Sequence, residues 1–287
     1  MKAQGFGIEI ELTGLTKKAA AGIIAGHFGT QSEFIGGSYN TWQVKDSSGR
    51  TWKLVNDASI RVEDGEAVEL VSPICQYEDI ETIQELVRLL RAGGAKANSS
   101  CGIHIHIDAS THTARSIRNI SNIMVSKEDL IFKALKVDES RARRYCKKAE
   151  DKFIDEINRK KPQSLTEVKR LWYSGGDGSR QHYHDSRYHA LNLHSVFQKG
   201  TIEFRMFNGT THAGKIKAYI QFCLAISHQA MTQRSASKQK TVTSNDKYTF
   251  RTWLLRLGLI GDEFKTARLH LLANLEGNIA WLNQPAA

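Results

Sequence analysis

Four short stretches carry residue types that could do metal or phosphate chemistry. Glu9 and Glu11 alternate with Phe6, Ile8, Ile10 and Leu12. A spacing of two puts both carboxylates on one face of a strand and the apolar residues on the other. His104, His106 and Asp108 alternate in the same way with Ile103, Ile105 and Ile107, and Glu203 and Arg205 with Ile202, Phe204 and Met206. A shorter run, Ala67 to Val71, adds Glu69. If these strands share a sheet, its polar face gathers carboxylates, imidazoles and a guanidinium. Two like charges ~4 Å apart repel by about 4 kcal/mol at an effective dielectric near 20, so such a cluster calls for cations. Oxygen donors with few imidazoles suit hard ions, Mg²⁺ or Mn²⁺, and magnesium usually arrives with a phosphorylated substrate.

Two other readings compete. A single alternating strand commonly belongs to a sheet with one solvated face, its polar groups toward water. Here, however, the outward positions are metal-ligand and phosphate-binding types rather than Thr, Ser, Lys and Gln. The His104-Ile105-His106-Ile107-Asp108 run also permits zinc, since both rings share a face. A zinc hydrolase of the metallo-β-lactamase kind would want another His after the Asp, and this chain has Ala109.

The elements that must position these groups are legible in part. Thr16 reads as an N-cap, Ala19 to Ile24 as a helix body and Gly29 as its stop. Thr41 to Val44 and Thr51 to Val55 read as a hairpin across Asp46-Ser47-Ser48-Gly49. Residues 78 to 92 form an amphipathic helix with Ile80, Ile83, Val87 and Leu90 at helical spacing, stopped by Gly93-Gly94. Ser126 with Asp129 suggests a helix start, and Ser164 with Glu167 a capping box. Strands are expected at Tyr188 to Leu193 and Thr201 to Met206. From about residue 215 the chain reads helical, interrupted by a polar stretch from Thr232 to Asp246.

The chain has 287 residues with 40 Lys+Arg against 30 Asp+Glu, a formal charge of +10. That balance predicts a polyanionic partner: nucleic acid, a membrane face or a nucleotide. The segment 133 to 170 alone holds 13 Lys+Arg and 7 Asp+Glu. With Lys161, Arg170, Trp172 and Tyr173 it mixes bases with aromatics, as a single-stranded nucleic-acid surface would. The plainer reading is a solvated, charged helix pair. Cysteines 75, 101, 146 and 223 form no Cys-x-x-Cys pair, which favours a reduced, cytoplasmic protein over a zinc finger or disulfide scaffold. No signal peptide or membrane-spanning run is expected.

Gly7-Ile8-Glu9-Ile10-Glu11-Leu12 resembles the opening strand of the amidoligase family, in the glutamine synthetase and glutamate–cysteine ligase superfamily of carboxylate–amine ligases. Four further blocks follow in order. Asp57-Ala58-Ser59 and then Glu69-Leu70-Val71-Ser72-Pro73 resemble the Asp-Gly-Ser and Glu-Leu-Val-Ser-Pro segments. Cys101-Gly102-Ile103-His104-Ile105-His106 resembles the Gly-x-His-x-His strand. Arg187-Tyr188 with Leu191-Asn192-Leu193 resembles the Arg-Tyr-x-x-Leu-Asn block, and Thr201 to Phe207 the Glu-Phe-Arg strand. Ala58 departs from the usual glycine. Residues 133 to 170 and the chain after about 215 match no motif.

The resemblance implies an α+β, glutamine synthetase-like fold: a mostly antiparallel curved sheet with helices on one face and the active site on the other. It implies one catalytic domain over 1–287, with a basic helical insert at about 126–175 and a helical C-terminal region. It implies ATP and Mg²⁺ (or Mn²⁺) as cofactors and an amide bond made from a carboxylate substrate and an amine substrate through an acyl phosphate. The substrates could be a peptide or an acidic macromolecule. Glu9, Glu11, Glu69, His104 and Glu203 become metal ligands. His104, His106, Arg205 and Asn192 become nucleotide contacts. Arg205, Arg187 and Glu203 become catalytic. Four positions keep a plain alternative: a cross-strand ion pair for Arg205, a loop arginine for Arg187, a turn former for Asn192 and for Asp57. Cys101 beside the His strand leaves a catalytic thiol conceivable, with nothing marking it as activated. The competing functions are a nucleic-acid-binding protein, relying on Arg141, Arg143 and Arg144, and a zinc-dependent hydrolase. Oligomeric state is not readable.

Overall fold

A computed structural model describes residues 1–281. The strands are β1 (Phe6–Leu12), β2 (Ser32–Gly36), β3 (Thr41–Lys45), β4 (Thr51–Val55), β5 (Val68–Val71), β6 (Gly102–Asp108), β7 (Leu191–Asn192) and β8 (Thr201–Asn208). The helices are α1 (Lys17–Phe28), α2 (Asp79–Ala92), α3 (Ala114–Leu135), α4 (Glu139–Arg144), α5 (Asp151–Lys160), α6 (Leu165–Trp172), α7 (His194–Gln198), α8 (Ala213–Thr232), α9 (Asp246–Arg256) and α10 (Lys265–Leu272). The class is α+β. One eight-stranded sheet runs β2-β3-β4-β5-β1-β6-β8-β7. The pairs β2–β3, β3–β4, β4–β5, β1–β5 and β7–β8 are antiparallel. Among the described residues no helix is long and apolar enough to cross a membrane.

The chain divides into two compact units. One comprises Lys2–His106 and Phe207–Ile220. Its frame follows from the alternation already described: Phe6, Ile8, Ile10 and Leu12 of β1 are all buried. Thr16 caps α1 by accepting the Ala19 N–H, and Gly29 ends it with φ 65°, a left-handed turn that glycine adopts at no steric cost. At the end of β5, Ser72 fastens β1. Its N–H donates to the Ile8 carbonyl and its Oγ accepts the Ile8 N–H at 2.9 Å. Pro73 follows, and the paired Phe6–Cys75 backbone bonds finish the ladder.

The other unit comprises Met1, Ile107–Met206 and the chain from Gln221 onward. Here α3 begins at Thr113, not at Ser126. Thr113 and Ser116 form a reciprocal capping box. Ser126 and Asp129 lie inside the helix, and the Ser126 carbonyl accepts the Thr241 N–H. The polar stretch after α8 is a strap laid on α3. Asn119 Nδ2 donates to the Ala230 and Gln233 carbonyls, and Asn122 Nδ2 to the Ala236 carbonyl. Ser164 caps α6 as expected, accepting the Glu167 N–H at 3.2 Å. The expected strand over 188–193 shortens to Leu191–Asn192, because a 3-10 turn at Asp185–Arg187 occupies the approach to it. Strand β2, with no clear alternation, was not anticipated.

Candidate active site

In the first unit, β1, β5 and β6 bring together four of the five expected metal ligands, Glu9, Glu11, Glu69 and His104, with His106 beside them. Glu11 lies directly opposite Glu69 in the antiparallel β1–β5 register. Like charges placed directly across a ladder destabilise it, and Glu11 is only 2% exposed. A solvated sheet face would not bury a carboxylate so deeply. Glu11 Oε2 accepts the Gly102 N–H at 2.6 Å, and His104 Nε2 lies 3.7 Å from its other oxygen. His104 Nδ1 is 3.1 Å from Glu9 Oε2, and His106 Nε2 is 3.3 Å from Glu9 Oε1. Both rings are buried. Each imidazole therefore bridges toward a carboxylate, the arrangement that orients a ring for metal or phosphate.

Two overlapping sets could hold a cation within this unit. Glu9, Glu69 and His104 offer ligand atoms all within 4.8 Å of one another, and so do Glu11, Asp57 and Glu69. Asp57, expected as either an outer contact or a turn former, forms the turn. Its Oδ1 accepts the Ser59 N–H at 2.6 Å while the carboxylate stands in the second set. Ala58 keeps a negative φ, so the departure from glycine costs the turn nothing. Two carboxylates with one imidazole, and three carboxylates, are donor sets for Mg²⁺ or Mn²⁺ rather than for a His- and Cys-preferring zinc ion. The residues fit the metal the resemblance implies. Cys101 is fully buried, so it is not placed as an accessible nucleophile. A side chain at Gly209 would meet Cys101 Cβ at 2.5 Å. That close approach explains the glycine just past β8.

In the second unit, Glu203 and Arg205 are 2% and 4% exposed. Arg205 Nη1 donates to Glu203 Oε1. Glu203 Oε2 accepts from Asn192 Nδ2 at 2.6 Å, in register across β7–β8, and Asn192 Oδ1 accepts the His194 N–H. Arg205 Nε donates to the Tyr145 carbonyl at 3.3 Å. The plain ion-pair alternative for Arg205 is thus present, inside a built network rather than on a wet surface. Arg187 is not part of it. It lies on the 3-10 turn, donates to the His182 carbonyl at 3.2 Å and packs on the Tyr183 and Tyr188 rings.

The His-rich stretch makes a ring stack, not a metal centre among the described residues. His184 stacks on His194, whose Nδ1 meets the Tyr173 hydroxyl. Burial and the neighbouring His184 push the His194 imidazole below its usual range, and burial pushes Tyr173 up to about 12. Leu191 and Leu193 flank Asn192 and line a cavity of about 40 Å³ with Trp172, Phe153 and Glu128. Leu191 pairs with Phe204, on the opposite side of the ladder from Asn192 and Glu203. That volume admits a few waters at most.

Of the basic residues in the nucleic-acid reading, Arg143, Arg144, Lys161 and Arg170 are exposed. Arg141 is buried. Trp172 donates its indole N–H to Ser186 and packs edge-on against Phe153 and His189. Arg143 is exposed and spends its charge on Glu139 one turn away.

Residues 2–227 match the model of a family described as "Putative amidoligase enzyme". The chain belongs to this amidoligase family. The match ends within α8, so the strap, α9 and α10 lie outside it. No curated protein matches the sequence. The motif blocks at Glu9, Glu69, His104 and Glu203 all fall inside the matched region.

Proposed function

We propose that this amidoligase is an ATP- and Mg²⁺-dependent carboxylate–amine ligase with a glutamine synthetase-like catalytic sheet. The observation that carries the reading is the opposed pair Glu11 and Glu69 on a buried face, sharing two cation-competent sets. Glu9, Glu69 and His104 would hold one ion, and Glu11, Asp57 and Glu69 another. Bound there, a divalent ion would neutralise phosphate charge. The resemblance adds Glu203 to the ligands and sets Arg205 on the transferred phosphate.

The chain's own residues then have defined tasks. Arg205, held in plane by Glu203 and the Tyr145 carbonyl, offers its guanidinium to charge developing on the phosphoryl oxygens. His104 and His106 orient the carboxylates they touch. The substrate carboxylate attacks the γ-phosphorus of ATP, giving an acyl phosphate and ADP. An amine attacks the acyl carbon, losing a proton and releasing phosphate as the amide forms. The acid and amine are unidentified; a peptide or other acidic macromolecule suits the basic chain.

Hydroxylamine tests this directly, because it intercepts an acyl phosphate as a coloured hydroxamate. Protein incubated with MgATP, hydroxylamine and a panel of amino acids and peptides should yield hydroxamate and phosphate together. Glu69→Ala should lower the yield at least about a hundredfold, a loss typical of removing a charge-stabilising catalytic group. Stoichiometric zinc in the purified protein, with amide hydrolysis in the absence of ATP, would replace the ligase by the hydrolase.

A further inference from the structure

Helix α4 belongs to the basic stretch that matches no motif, yet it grips Arg205 from two sides. Arg141 is 3% exposed. Its Nη2 donates to the Arg205 backbone carbonyl at 3.4 Å. Tyr145, which ends the same helix by donating its N–H to the Arg141 carbonyl, offers its own carbonyl to Arg205 Nε at 3.3 Å. The next turn of chain is stitched to the same strand. Lys147 donates to the Tyr188 carbonyl and accepts from the Ala190 N–H, and the Ala190 carbonyl accepts the Arg205 N–H. Arg205 is thereby held at its N–H, its carbonyl and its Nε by one continuous set of bonds that begins in α4. Its Nη1 goes to Glu203.

A charged helix whose purpose was solvation or nucleic-acid contact would turn its bases outward, as Arg143 does. Burying Arg141 costs desolvation that a surface arginine avoids. Asp138 starts α4 by accepting the Ser140 and Arg141 N–H groups, so the turn that carries Arg141 is itself fixed.

We propose that Arg141 is a positioning residue for Arg205, through which the insert aims that guanidinium at the γ-phosphate of ATP. The inference rests on the ligase reading for the identity of the anion. It gives the basic segment a role in the reaction itself. It also locates that role in one buried residue, and not in the segment's net charge.

The test is nucleotide affinity of the full chain with Mg²⁺, measured by calorimetry for ATP and ADP, with thermal unfolding of each variant as a folding control. Arg205→Met should weaken ATP about tenfold or more while leaving ADP within about threefold, since charge-assisted bonds to the γ-phosphate are lost. Arg141→Met should do the same, and the double variant should bind ATP no more weakly than Arg205→Met alone. Arg141→Lys should recover part of the loss. Should Arg141→Met fail to fold, Asp138→Ala, which loosens α4 from its end, should weaken ATP selectively by about twofold to threefold. Additive losses in the double variant would overturn the proposal. So would equal weakening of ATP and ADP, or unchanged affinity in folded Arg141→Met. Wild-type protein that binds neither nucleotide would remove the ATP reading first and this inference with it. Wild-type binding with an indifferent Arg141 would remove the inference alone.

Discussion

Glu11 and Glu203 are equally buried, and the molecule treats them in opposite ways. Glu11 looks across a ladder at Glu69 and receives a backbone N–H and an imidazole. Glu203 takes a guanidinium on one oxygen and a side-chain amide on the other. The first environment sets two carboxylates directly opposite one another. The second is already compensated, and it holds an arginine in a fixed pose. Burial alone does not tell the two environments apart; the sign of the facing residue does.

The largest expected effect breaks the compensated side. Glu203→Gln leaves Arg205 buried without its carboxylate, and removing one partner of a buried pair typically costs about 3–5 kcal/mol. Denaturant unfolding of the metal-free protein should show a loss of that size with an unchanged m-value. Unaltered stability would mean that Glu203 is held for metal alone, and the contrast with Glu11 would disappear.

Acid unfolding can compare the two carboxylate environments only after a background group is removed. His112 is buried between Ser116 and Ser227, accepting or donating at 3.0 and 2.9 Å. Burial lowers its pKa from the usual 6.5 to about 4, with Asp108 opposing the shift. The unfolded chain therefore binds more protons between those values. Stability rises with pH across that window and is lost as pH falls through it, by an amount on the order of 3 kcal/mol. His112→Asn should flatten the dependence between about pH 4 and 6.5. Burial lowers the His194 and His228 imidazoles too, so only a slope that outlasts their replacement as well belongs to carboxylates.

How much of this was readable from the chain depends on whether side-chain type and period agree. Through the centres of β1, β6 and β8, Ile, Phe, Leu or Met alternates with Glu, His, Asp or Arg, so strand, face and candidate ligands were visible together. The amphipathic α2 declared itself in the same way. The start of α3 did not. Its capping box uses Ser116 rather than Glu, and its Asn119 and Asn122 look like breakers until a strap is laid over them. Strand β2 leaves Phe34 and Ile35 exposed, so no buried face imposes alternation on it. Arg141 resembled its neighbours Arg143 and Arg144 because its partner is a backbone carbonyl, which carries no sequence mark. Asp57 could not be assigned because the carboxylate that forms a turn also stands among groups that could hold a cation.

Adding metal should act through Glu69. At a concentration a hundred times the dissociation constant, Mg²⁺ or Mn²⁺ should stabilise the protein by about 2.7 kcal/mol. Glu69→Ala should abolish the increment while leaving the metal-free unfolding reversible and cooperative. An increment that survives that substitution places the ion elsewhere.

The smallest effect is also the sharpest, because its sign is reversed. Glu69→Gln removes one of the two opposed charges and keeps the shape of the side chain. Without metal, the variant should be more stable than the wild type by about 0.2–1 kcal/mol, the size of a cross-strand pair effect. With saturating Mg²⁺ the order should invert, since the wild type gains an ion that the amide binds poorly. The crossing of the two stability curves as metal is added is the signature of a carboxylate kept for function at the expense of the fold. If Glu69→Gln destabilises the metal-free protein, as Glu203→Gln is expected to, then Glu11 and Glu69 are held by structural partners, and the two environments are of one kind.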